Sequence, residues 1–220
     1  MNTLISDFKI RLSACNSNAV AIFSKKGIDS WERSYLTESL VSDIWQGWCF
    51  FTKELIGKSC LGTTTTNSVT LSSIAVSFFG VTSVDWRHIG FAASKIAQSR
   101  PYSPVGGVIN SIRQEPTWGD IDKLINIVSG LPIANKNTIL PFLSQPEASR
   151  VRHVQKIRNA FAHRSAENDS ELLRVVSPDY QAASFINPEE YVWSKHSSTN
   201  NMAVFTWIND MDYLATEMTR

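Results

Sequence analysis

Between Ser30 and Leu61 the residues Leu36, Leu40, Ile44, Trp48, Phe51 and Leu55 recur at steps of four and three, with Val41 and Trp45 beside them. A repeat of that period puts the side chains on one face of an α-helix, so the chain must fold around a long rod with a wide buried stripe. Gly47 and Gly57 interrupt the rod at about 1 kcal/mol each relative to alanine, which marks them as places for a kink or a close helix crossing. With 220 residues, 43% of them hydrophobic, the chain can bury a sizeable core around such a rod, and disorder as the main state is excluded.

Further helices follow from the same pattern. Trp86, Ile89, Ala93, Ile96 and Ala97 share a face over Asp85 to Gln98, with Ser83 placed to cap the start. A weaker helix is predicted over Asp120 to Ser129, closed by Gly130 and Pro132. Ser144-Gln145-Pro146-Glu147 has capping-box spacing with proline in the first turn, which predicts a helix over about 146–164. Val204, Trp207, Ile208, Met211, Leu214, Ala215 and Met218 give a terminal amphipathic helix. Two stretches read as loop insertions: 62–72, with four consecutive threonines, and 99–119, where Pro101, Pro104, Gly106, Gly107 and Pro116 crowd together. Residues 172–194 are compatible with a hairpin, a short helix or a loop. The expectation is an all-α single domain over 1–220 with long irregular connections and no internal repeat.

Charge and cysteine usage remove several function classes. The 21 Lys and Arg against 20 Asp and Glu leave +1, so no protein-wide field draws the chain to nucleic acid or an anionic membrane, and such binding needs a local patch. Cys15, Cys49 and Cys60 are an odd number with no paired spacing and no histidine at ligand distance, against both a disulfide framework and a structural zinc site. They also lack the basic neighbours of a nucleophile and read as inert. Asp7, Lys9 and Arg11 precede any long apolar run, unlike a signal peptide, and the apolar windows fall short of the roughly 20 residues of a membrane span. These features fit a soluble protein of the reducing cytoplasm.

The local patch lies at 150–164, which holds Arg150, Arg152, Lys156, Arg158 and Arg164 and no acidic residue. On a helix, Val151, Val154, Ile157 and Phe161 fall on one side and Arg152, Lys156, Asn159 and His163 on the other, with Arg158 between them near the Val151 edge. Asn159 and His163 are four apart and can meet. Arg158 and His163 are five apart, about 140° around an ideal helix, and converge on one ligand only through a distorted helix end or a second subunit.

The string Arg158-Asn159-Ala160-Phe161-Ala162-His163 resembles the Arg-x4-6-His signature of the HEPN superfamily, in which a polar residue typically follows the arginine near a helix end. The likeness is specific over 150–165 and architectural elsewhere. It implies a helical bundle of HEPN type that dimerises through the motif helix and acts as a metal-independent endoribonuclease, in antiviral defence or a toxin-antitoxin pair. It implies no cofactor and no metal; the partners would be RNA, a second copy of the chain, and a cognate antitoxin or regulatory protein, with no membrane.

The residue types suit that chemistry. Attack by the RNA 2′-hydroxyl needs a base, an acid for the leaving 5′-oxygen and donors for the charge gathering on phosphorus. His163 is the candidate acid/base, Arg158 the phosphoryl clamp and Asn159 the orienting group. A single histidine cannot be both base and acid in one step; an isologous dimer supplies two. Arg152, Lys156 and Arg164 are candidate RNA-binding residues.

The bland readings are that Arg158 covers apolar surface with its stem and His163 meets the helix dipole. His88 reads as surface or packing, His153 as exposed, Lys195 and His196 as loop residues, and the tryptophans as core. A rival to catalysis is a HEPN-like module that binds RNA, a nucleotide or a partner protein, which Glu167, Asp169 and Glu171, just past the motif, keep in view by their repulsion of phosphate.

Overall fold

The structure, a computed structural model, describes residues 1–27, 29–100, 102, 115–163, 165–181 and 187–220, so most of the 99–119 connection lies outside it. The chain is mainly α-helical, as the periodicity predicts. The helices are α1 (Asn2–Ser24), α2 (Ser30–Leu61), α3 (Val76–Phe79), α4 (Trp86–Ala97), α5 (Ile121–Gly130), α6 (Lys136–Leu143), α7 (Pro146–Ala162), α8 (Ala166–Glu171), α9 (Pro188–Trp193) and α10 (Ala203–Met218). Among the described residues no helix is long and apolar enough to cross a membrane.

The rod α2 is continuous through both glycines. At Gly57 a Cβ would lie 1.8 Å from the Trp86 ring, so the missing side chain is what lets α4 cross this closely. The cap of α4 is Asp85 rather than Ser83. Its carboxylate accepts the N–H groups of Arg87 and His88, and His88 Nδ1 accepts the Asp85 N–H at 3.2 Å, a reciprocal box that gives His88 a structural role. The guanidinium of Arg87 beside it holds the Asp85 carboxyl down to about 2.

Two expectations need correction. The threonine run is not plain loop: Thr63–Thr64 (β1) pairs antiparallel with Thr70–Leu71 (β2), in the register Thr63 to Leu71 and Thr64 to Thr70. β-Branched residues favour extended backbone, and Thr65 closes the turn, donating its N–H to Val69 O at 2.8 Å while its hydroxyl accepts the Val69 N–H. The Ser144–Glu147 box does not form. Ser144 instead closes α6 through its N–H to Phe142 and Pro141, and Glu147 turns to Arg150. The stretch 172–194, left open between hairpin, short helix and loop, holds among its described residues a π-helical turn (Leu172–Val176), a 3-10 turn (Ser177–Asp179) and α9.

The chain divides into two compact units, each assembled from separate stretches: one takes Met1–Ser6, Cys49–Gln145 and Leu214–Arg220, the other Asp7–Trp48 and Pro146–Tyr213. In the first, Phe51, Leu55 and Ile56 of α2, Ile89 and Ala93 of α4, and Ile121, Leu124 and Ile127 of α5 are buried. In the second, the core holds Phe8, Leu12 and Ala19 of α1, Val41, Ile44 and Trp48 of α2, Val151, Val154 and Ile157 of α7, and Val204, Trp207 and Met211 of α10. Here α7 packs on α9, on the 172–176 turn and on α8. Burying such aliphatic and aromatic side chains contributes roughly 1.5–3 kcal/mol each, which holds the basic helix rigid enough to carry a site.

Candidate functional site

Val151, Val154 and Ile157 are fully buried and Phe161 nearly so, placing the predicted apolar side of α7 inward. Arg152, Lys156, Arg158 and Asn159 are half-buried, and His163 is exposed one residue beyond the helix end. Arg164 lies outside the described residues. Arg158 Nη1 donates to Asn159 Oδ1 at 3.3 Å, so these two side chains are brought together. Among the described residues no carboxylate stands within ion-pair distance of Arg158. The main chain of His163 is held from both sides: its N–H donates to Asn159 O at 2.8 Å, and its carbonyl accepts from Asn168 Nδ2 of α8. Among the described residues its imidazole makes no hydrogen bond, and nothing joins it to Arg158.

The basic face is smaller than the sequence suggests. Arg150 points into the second unit, its side chain 11% exposed, and forks onto Asp210 of α10 through Nε to Oδ2 at 2.6 Å and Nη2 to Oδ1 at 2.9 Å. The same Nη2 reaches Glu147 Oε1 at 3.0 Å. Burial pushes the Asp210 carboxyl up, and the guanidinium pulls the other way. Arg150 is therefore a structural cation. Lys156 forms an ion pair with Glu171 at the end of α8, so the acidic stretch beyond the motif folds back onto the basic helix. The charges left toward solvent are fewer than the five cations of the string.

His153 is 2% exposed, which corrects its placement on the surface. Its surroundings fix the protons. The Trp207 indole N–H can only donate, and it does so to Tyr180 Oη at 2.8 Å; the phenol O–H is then free to donate to His153 Nδ1 at 3.1 Å. That leaves the imidazole proton on Nε2, facing Asp179 Oδ2 at 3.4 Å. Burial lowers the His153 pKa to about 4, Asp179 opposing and Arg150, Lys156 and His196 assisting. Burial also raises the Tyr180 phenol well above its usual range.

His196 belongs to the same cluster and is no loose loop residue. It is 4% exposed, bridges to Tyr180 through the main chain and stands edge-on to the phenol ring at 5.2 Å. Its Nδ1 accepts the Ser198 N–H at 3.2 Å, while Nε2 is buried with no hydrogen-bond partner among the described residues. Lys195 is exposed.

Sequence reasoning missed this network because its members come from α7, the 177–180 turn, the 195–202 loop and α10, with no local spacing to announce them. Among the other singled-out residues, Trp45, Trp48, Trp118 and Trp207 are core, Trp86 and Trp193 are half-buried, and Trp31 is 74% exposed in a stack on Tyr35. The three cysteines form no disulfide among the described residues, and burial pushes Cys60 up to about 12. Among the described residues no group of His, Cys, Asp or Glu side chains is arranged to hold a metal ion. Comparisons with family models, with curated proteins and with solved structures each found no match.

Proposed function

We propose that this chain is a HEPN-like endoribonuclease of the cytoplasm that cleaves RNA by 2′-hydroxyl attack, without metal, at a site shared by two copies of α7. The observation that carries the reading is the pairing of an Arg158 guanidinium, free of any carboxylate among the described residues and joined to Asn159, with a solvent-facing His163 just past the helix end. Arg150, by contrast, is matched to two carboxylates.

In the proposed reaction the imidazole of one protomer removes the 2′-hydroxyl proton and that of its partner protonates the departing 5′-oxygen. The 2′-oxygen bonds to phosphorus as the P–O5′ bond breaks, leaving a 2′,3′-cyclic phosphate. Arg158 donates to the phosphoryl oxygens through the pentacoordinate state, and Asn159 orients the guanidinium. Arg152, Lys156 and Arg164 contact the backbone on either side. Antiviral defence or a toxin-antitoxin pair, with an antitoxin as regulator, is the setting the family resemblance suggests.

The second reading, a HEPN-like module that binds RNA, a nucleotide or a partner protein without cleaving, is favoured by one observation: Glu171 already occupies Lys156. The test is incubation with RNA in EDTA. The native protein cleaves, and His163→Ala loses on the order of 100-fold or more of that activity. Equal cleavage by both removes the enzyme reading, binding without cleavage installs the second, and a strictly monomeric mass in solution makes the two-histidine scheme unworkable.

A further inference from the structure

Resting on the RNA-cleaving reading, we propose that α8 is an electrostatic strap lying on the phosphate-binding face of α7, and that an RNA backbone must displace it to reach the site. The helix Ala166–Glu171 carries Glu167, Asp169 and Glu171, has no cation and buries none of its residues. It is held to α7 by polar contacts: Glu171 on Lys156 and Asn168 on the His163 carbonyl. Both partners belong to the candidate site, one as a phosphate contact and the other as the acid/base.

A six-residue helix has little intrinsic stability and, with nothing buried, no apolar contribution to hold it down. Its one ion pair among the described residues is partly exposed, Lys156 at 23% and Glu171 at 41%, and such pairs are weak. Lifting α8 therefore costs little. Leu172 and Val176, both at 0% exposure, fix the turn that follows, so the displacement stops there. A carboxylate on an ammonium group occupies the place a phosphate oxygen would take. RNA wins the exchange because it brings several phosphates and releases condensed counterions, which one carboxylate does not. The acidic residues after the motif thus set a threshold for substrate, admitting a polyanion and excluding isolated phosphates.

The test measures binding of a fluorescent 2′-O-methyl oligouridylate, which lacks the attacking hydroxyl, to the native protein and to Glu171→Gln, Lys156→Gln and the triple variant Glu167→Gln/Asp169→Asn/Glu171→Gln. Glu171→Gln should bind roughly threefold tighter and the triple variant roughly tenfold, with the gain shrinking as salt rises. Amide exchange over 166–171 should quicken when RNA is bound. If Lys156→Gln weakens binding while both acidic variants match the native protein, or if α8 stays protected under bound RNA, the strap is overturned and the nuclease reading stands. If no variant binds RNA at any salt concentration, both fall.

Discussion

The two ends of α7 treat the same kinds of side chain in opposite ways. Near its start, half-buried Arg150 has its donors committed to Asp210 and Glu147, and buried His153 accepts from Tyr180 at Nδ1 and turns its Nε2 proton to Asp179. Near its end, Arg158 meets only an amide oxygen, and the imidazole of His163 meets nothing among the described residues. Burying a charge costs several kcal/mol unless it is paired, so the first arrangement has value only as structure. Leaving polar groups reachable and unmatched contributes little to stability, and under the proposed function the second arrangement is what a substrate would match. The comparison teaches that a basic string is not one functional unit: its cations divide by what already answers them.

The sharpest way to break this division is Arg150→Ala. It strands the Asp210 carboxylate in the core, and unfolding by denaturant should show a loss of about 3–5 kcal/mol. A loss within experimental scatter would mean that the forked pair carries no structural weight.

Next in size is the acid response of the His153 network. In the unfolded chain the imidazole takes its proton near pH 6.5, whereas in the fold it is held to about 4. A depressed histidine contributes stability that is complete above pH 6.5 and drains away as pH falls through 4, up to about 3 kcal/mol. Burial is the main cause, and the geometry agrees with it: a proton on Nδ1 would point at the Tyr180 O–H that now donates to that nitrogen, so the phenol would have to turn away. His153→Asn keeps an acceptor but cannot titrate, so the difference in unfolding free energy between native protein and variant should shrink from pH 7 to pH 4. Parallel curves would contradict the proton assignment.

At the other end of the helix the expected effect on stability is small. His163→Ala, an exposed substitution, should stay within about 0.5 kcal/mol of the native protein in the same denaturant assay, and half-buried Arg158→Ala, which gives up one long hydrogen bond to Asn159, should cost no more than about 1 kcal/mol. A large loss from either would move that residue into the structural class and remove its claim on a substrate.

How much of this was legible in the sequence depends on where the information sits. Helix α2 spans its predicted range, and α4, α5, α7 and α10 fall within two residues of theirs, because one apolar stripe per helix is a signal carried by neighbours in the chain. The first helix had the same signal, Leu4, Phe8, Leu12, Cys15, Ala19 and Ile22, all buried, but among serines, asparagines and charges the repeat is easy to pass over. Pro141 hid α6, since a proline inside a helix reads as a stop.

At the candidate site, the half-buried and exposed positions of Arg152, Lys156, Asn159 and His163 followed from the helical wheel. The burial of His153 did not. It sits seven residues before Ala160, on nearly the same face, and Ala160 is itself buried; a small side chain marks a second packed surface that a count of large apolar residues overlooks. The partners of His153 and Arg150, 27 and 60 residues away, leave no local trace at all.

The interleaving of the two units bears on how the protein is made. Residues 49–145 leave the ribosome well before Leu214–Arg220, the stretch that completes their unit, and 146–213 of the other unit are synthesised in between. A chain built this way cannot finish one half and then begin the next, as tandem domains do. Each half waits, partly formed, for segments that arrive late, and holdase chaperones would find their longest window during that interval.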